Sequence, residues 1–116
     1  MTLVNSVQGP TPWRKIKITV PGSSTVNVDT IPLATMKAVK YFVSFSNTAN
    51  GNYKSFELNA RNHNSVIRDT ISNKQRTGVT DVDVEMKVDG SNAVLEFVNN
   101  ETFDLDVELI RGVLNG

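Results

Sequence analysis

The chain contains no cysteine, a single histidine and no long apolar segment, and each absence excludes a class of protein. Without cysteine there is no disulfide framework, no thiolate metal site and no cysteine nucleophile. With His63 as the only histidine, a histidine-rich metal site is excluded, and a Ser-His-Asp triad would have to be built on this residue. His63 falls in the polar stretch 61–65, which predicts an exposed loop residue. We therefore expect a protein that is not an enzyme and needs no cofactor.

No segment approaches the roughly 18 consecutive apolar residues of a membrane-spanning helix. The first residues lack the basic and apolar regions of a signal peptide, so none is expected. Twelve Lys and Arg balance twelve Asp and Glu, which leaves no net charge to attract nucleic acid or anionic lipid. We expect neither nucleic acid nor membrane as a partner.

The charge balance hides an asymmetry between the two halves of the chain. Residues 1–61 carry seven basic and two acidic side chains, whereas residues 62–116 carry five basic and ten acidic ones. Either strands from the two halves interleave and neutralise one another, or the folded molecule has oppositely charged faces. The second arrangement suits repeated contact between copies of the chain.

Apolar residues alternate with polar ones from about Trp13 to the end, and no stretch has a helical period. Turn-forming clusters separate the alternating segments, and Asn50-Gly51 is the strongest hairpin signal. The acidic residues of the later segments alternate with apolar ones on straight strands, which is typical of solvated faces rather than of a calcium loop. Strands are predicted at residues 14–20, 25–31, 39–45, 53–60, 66–71, 82–88, 93–98 and 103–109.

This pattern predicts an all-β fold, a single β-sandwich or small jelly roll of about eight antiparallel strands. The third strand is expected at the centre of a sheet, with much of both faces covered. Pro32 would interrupt a strand, so residues 31–36 are expected to form a crossing loop or a single helical turn. Residues 61–65 and 72–78 are polar and are expected to be loops.

Residues 1–12 are predicted to form an extended N-terminal arm that precedes a β-sandwich domain at residues 13–116. The arm is either a frayed terminus, or a segment that adds as a strand to a neighbouring subunit. Trp13 is expected either to pack in the core or to serve as a docking residue. The candidate partner-binding residues are Leu3, Val4, Val7, Trp13, Arg14 and Lys15.

Several segments together resemble small β-sandwich structural proteins of tailed bacteriophage virions. Residues 13–21 and 28–33 are similar to the opening of these proteins, residues 39–48 with 53–58 to their central hairpin, and residues 95–101 to their penultimate strand and turn. The likeness is one of strands and turns, and it carries over no functional residue set.

The resemblance implies a non-enzymatic virion structural or assembly protein of a tailed phage, acting as a head-decoration, neck or tail accessory subunit. Its implied partners are other virion proteins of the capsid, neck or tail, and further copies of itself in a homo-oligomer. Such a protein is made in the host bacterial cytoplasm, which agrees with the absence of cysteine. The alternative function is a carbohydrate- or receptor-binding β-sandwich that uses exposed aromatic residues and the Asn-rich segments 47–52 and 61–65.

Overall fold

A computed structural model describes residues 13–47, 49, 51–77 and 81–114, and eight strands account for most of them. The strands are β1 (Trp13–Val20), β2 (Ser24–Pro32), β3 (Ala38–Asn47), β4 (Tyr53–His63), β5 (Val66–Arg76), β6 (Val82–Asp89), β7 (Asn92–Asn99) and β8 (Leu105–Leu114). The 3-10 turn Leu33–Thr35 confirms the helical turn predicted within residues 31–36, but Ile31 and Pro32 still belong to β2. Within the described ranges no helix has the length and apolar character needed to cross a membrane.

The strands form two antiparallel sheets. One sheet has five strands in the order β1-β8-β3-β4-β5, and the other has three in the order β2-β7-β6. Alternation along each strand directs every second side chain between the sheets, where the apolar residues pack. The largest fully buried apolar side chains are Tyr41, Phe45, Phe97, Leu58, Leu95, Leu105 and Leu109. The predicted all-β sandwich is confirmed.

The third strand does lie at the centre of the larger sheet, between β8 and β4. Its inward residues Tyr41, Val43 and Phe45 are buried, but Phe42 and Ser44 on its other face are exposed. The expectation that both faces are largely covered is therefore wrong. The three-stranded sheet covers only the inner face of the five-stranded sheet. Phe42, an apolar residue, therefore remains exposed on the outer face.

Two polar segments predicted to be loops are largely strands, although Asn64 and Ser65 do form a turn. Residues 61–63 continue β4 to its end at His63, and residues 72–76 continue β5 to Arg76. In register, Ser72, Gln75 and Arg76 pair with residues 54–57 of β4. The side chains of residues 71–76 are exposed on both faces, so no apolar alternation marks this half of β5 in the sequence. Backbone pairing with β4 extends the strand despite its polar composition.

The last strand also differs from its predicted range, since β8 starts at Leu105 and continues to Leu114. Phe103 therefore lies in the loop between β7 and β8, which occupies residues 100–104. This loop and the β1–β2 turn meet at one end of the sandwich, where the Ser23 N–H donates to the Glu101 carbonyl at 2.8 Å. The start of β3 and the ends of β4 and β8 meet at the other end.

Candidate functional site

The outer face of the five-stranded sheet, directed away from the smaller sheet, carries an exposed apolar strip. Phe42 and Ile110 are directly opposite each other on β3 and β8, and 41% and 40% of their surfaces are exposed. They line a shallow depression of about 480 Å³ together with Ser44, Ser55 and residues beside them. A cluster of exposed aromatic and aliphatic side chains on a sheet surface is typical of surfaces that contact another protein.

Ion pairs border this strip on both sides. Lys15 Nζ lies 2.9 Å from Glu108 Oε1, and Lys40 Nζ lies 2.9 Å from Glu57 Oε1. The Lys40 ammonium is also 5.0 Å from the centroid of the Phe42 ring, within cation–π range. Hydrogen bonds from Lys40 and then Asn73 lower the pKa of Glu57, and a hydrogen bond from Lys15 lowers the pKa of Glu108. Both carboxylates therefore stay ionised, which gives the apolar strip a polar rim.

Of the predicted partner-binding residues, Lys15 is one that the structure places on this face. Lys15 is opposite Ile110 on the edge strand β1 and belongs to the rim. Arg14 precedes Lys15, so its side chain is directed to the opposite face of β1. Arg14 is exposed and lies opposite Arg111 in the register. Trp13 begins β1 opposite Gly112. The remaining candidates, Leu3, Val4 and Val7, belong to the arm and lie outside the described residues, so their role stays a prediction.

Phe42 and Ile110 themselves were missed as site residues by sequence reasoning. The alternation of β3 does assign Phe42 to the face opposite Tyr41 and Val43, so a signal for its position existed. No such signal existed for Ile110, because the predicted last strand ended at residue 109. Only the register between β3 and β8 brings the two side chains together.

A buried polar cluster joins the two sheets beneath this face. The Tyr41 hydroxyl donates to Asp29 Oδ2 at 2.7 Å, and Arg111 Nη1 donates to both carboxylate oxygens of Asp29 at 3.0 Å. Asp29 belongs to β2, whereas Tyr41 and Arg111 belong to β3 and β8. Burial, then the Asp29 charge, raises the pKa of Tyr41 far above its ordinary value. This cluster holds the sheets together and keeps the phenol protonated.

In each Asn-rich segment that would serve a carbohydrate site, one asparagine side chain is engaged within the fold. Asn47 is buried, and its side-chain oxygen accepts the Ala49 N–H at 2.7 Å. The side-chain amide of Asn62 donates to the carbonyls of Leu33 and Met36 at 3.1 and 3.0 Å. These amides shape the two ends of the β3–β4 hairpin and leave fewer groups for a sugar hydroxyl.

Comparison with solved structures finds a similar fold in part of a phage tailspike protein. The chain is similar to part of the tailspike protein of Acinetobacter phage vB_ApiP_P1, with a TM-score of 0.59 and 13% identity. That likeness covers 100% of this chain and 24% of the tailspike chain. It is also similar to the tailspike protein of Acinetobacter baumannii phage AM24, with a TM-score of 0.45 and 8% identity over 90% of this chain and 27% of that one.

No family model and no curated protein sequence matches the chain. The chain spans about a quarter of the length of the first tailspike. At such low identity the likeness defines the fold: an antiparallel β-sandwich of a kind found within a phage tailspike.

Proposed function

We propose that this protein is a structural module of a tailed-phage virion, associated with the tail, that binds other virion proteins without catalysing a reaction. The observation that carries the proposal is the fold likeness along the whole chain to a segment of a tailspike protein. The sequence resemblance to virion β-sandwich proteins supports the same class. The proposal places the protein in the virion after synthesis in the bacterial cytoplasm.

The outer face of the five-stranded sheet is the proposed contact surface. Phe42 and Ile110 supply an apolar centre, and the ion pairs of Lys15 and Lys40 supply a charged rim. Protein interfaces combine these features, with affinity concentrated in a few central aromatic or aliphatic residues. The rival function, carbohydrate binding, has less support because Asn47 and Asn62 are engaged within the fold.

The test is co-sedimentation of the purified chain with tail proteins purified from the source of its sequence. We expect the Phe42→Ser/Ile110→Ser double variant to bind at least about tenfold more weakly, because both central apolar side chains are lost. Val88→Ser is the matched control, since Val88 is also 41% exposed but lies on β6 of the other sheet. Its affinity should stay within about twofold of the unmodified chain.

Equal binding by the unmodified chain and the double variant would exclude the outer face as the contact surface. Absence of binding to any tail protein, together with binding of a glycan that Tyr53→Ala abolishes, would support the carbohydrate-binding rival instead.

A further inference from the structure

A second surface, the basic groove, lies at the end of the sandwich where β3 starts and β8 ends. It has a volume of about 520 Å³ and is lined by Lys37, Ala38, Lys40, Arg61, Gly112 and Leu114, among others. Leu114 is 58% exposed, so the floor of the groove is apolar and open to contact. The groove continues the outer face of the five-stranded sheet beyond the Phe42–Ile110 strip, and Lys40 borders both.

The cations around this groove exceed the acids that could neutralise them. Lys40 is paired with Glu57, but among the described residues neither Lys37 nor Arg61 has an ion pair. Arg61 is also directly opposite Arg68 on β5, a like-charged pair that is unfavourable on its own. An acidic group bound here would relieve that repulsion.

The opposite end of the molecule has complementary features in the β7–β8 loop, residues 100–104, which we call the acidic loop. Phe103 projects from it with 41% of its surface exposed, and Glu101 and Asp104 flank this aromatic side chain in the sequence. Asp81 and Asp106 lie at the same end, because the Asp81 N–H donates to Glu101 at 2.9 Å and Asp106 pairs with Thr19 at the end of β1. An aromatic side chain among carboxylates matches an apolar floor among cations.

The acidic loop is also held in one conformation before any contact forms. The buried side-chain amide of Asn99 donates to the Phe103 carbonyl at 2.8 Å and to the Pro21 carbonyl at 3.1 Å. Its side-chain oxygen accepts the Glu101 N–H at 2.9 Å. A preformed loop loses little conformational entropy on binding, which favours its use as a docking element.

We propose that the acidic loop of one copy docks in the basic groove of a second copy. Phe103 then packs on the groove floor, and the carboxylates around it face Lys37 and Arg61. A second copy is the partner because the acidic loop of the same chain supplies the exposed aromatic side chain and the carboxylates that match the groove. Among the other cations toward the acidic end, Lys17 on β1 lies in one shallow depression with Asp106, whereas Lys54, Lys74 and Arg76 lie on β4 and β5, toward the edge of the larger sheet that is farther from β8.

The groove and the acidic loop lie at opposite ends of one molecule, so a copy cannot satisfy its own groove. The contact is head to tail, and each added copy leaves one groove and one loop open, so association continues as a ring or a filament. The inference does not depend on a role in a phage, because both surfaces belong to the chain itself.

The test is the mass of the purified chain by light scattering at ionic strengths of about 0.05 M and about 0.5 M, where screening differs strongly. We expect a mass at least double that of the monomer at low salt, decreasing toward the monomer at high salt. Two charge-reversal variants, Lys37→Glu/Arg61→Glu and Asp81→Lys/Asp106→Lys, should each remain monomeric. Their equimolar mixture should associate, because the intact groove of one meets the intact acidic end of the other.

Phe103→Ser should also weaken the association, whereas the equally exposed Val88→Ser control should not. The proposal is overturned if the unmodified chain is monomeric at both ionic strengths, which would leave the groove to an acidic segment of a different protein. It is equally overturned if the chain associates but the mixture of reversed variants does not, because the association would then use another surface.

Discussion

At the scale of single residues, the buried carboxylate of Asp29 joins the two sheets through its hydrogen bonds to Tyr41 and Arg111. A β-bulge between Asn27 and Asp29 shifts the register of β2, so that Val28 and Asp29 are both buried. Strict alternation would have placed Asp29 on the solvated face, so the sequence predicted the strand but missed the residue that joins the sheets. Its partner Arg111 lay beyond the predicted last strand, and no local signal connects positions so far apart in sequence.

The Tyr41–Asp29 contact makes stability depend on pH in the alkaline range. Tyr41 has a raised pKa in the folded chain, so the unfolded chain loses the phenolic proton first, and stability falls as pH rises past the ordinary tyrosine pKa of about 10. Between pH values of about 9 and about 11, urea unfolding should show the unmodified chain losing about 1.4 kcal/mol more in total than Tyr41→Phe, with most of the loss above a pH of about 10. A constant difference between the two chains at both pH values would contradict this account.

At the scale of secondary structure elements, the sequence predicted the order and number of strands but not the residues at which all of them end or the strands with which they pair. Alternation identified the strands that have one buried face, such as β3 and β6. It failed over residues 72–76, where neither face of β5 is buried and only pairing with β4 defines the strand. The outer apolar strip and the acidic loop depend on register and on loop packing, which no local pattern in the sequence encodes.

Packing of the acidic loop against the β1–β2 turn requires glycine at position 22. A Cβ atom on Gly22 would lie 2.4 Å from the backbone oxygen of Thr102, so one backbone segment would have to move. We expect Gly22→Ala to lower the free energy of unfolding by about 1–3 kcal/mol in urea titrations, and to weaken self-association by displacing Phe103.

The matched control is Gly51→Ala in the β3–β4 hairpin, where no atom of the described residues, chain neighbours aside, lies within 4 Å of the added atom but the backbone φ is +74°. This variant should lose about 1 kcal/mol through backbone strain alone and keep its self-association. If Gly22→Ala were as stable and as associated as the unmodified chain, the close packing of the loop would not hold in solution.

At the scale of the whole molecule, the two interpretations of the charge asymmetry describe different parts of the fold. Strands of both halves interleave in each sheet, and the Lys15–Glu108 and Asp29–Arg111 pairs join the halves. Charge is nevertheless unevenly distributed between the ends: Lys37 and Arg61 lie at one, and Glu101 and Asp106 lie at the other, where Lys17 is the cation beside Asp106. A sequence count could detect the excess charge of each half, but only the topology assigns charges to the ends.

The central claim, that the protein is a tail-associated virion module, is tested most directly by immunogold electron microscopy of phage particles purified from the source of the sequence, with antibodies against the folded domain. We predict gold labelling at the tail of intact particles, competed away by the purified chain. Particles that carry no label and no peptides of the chain, while the protein remains free in the lysate, would contradict the assignment.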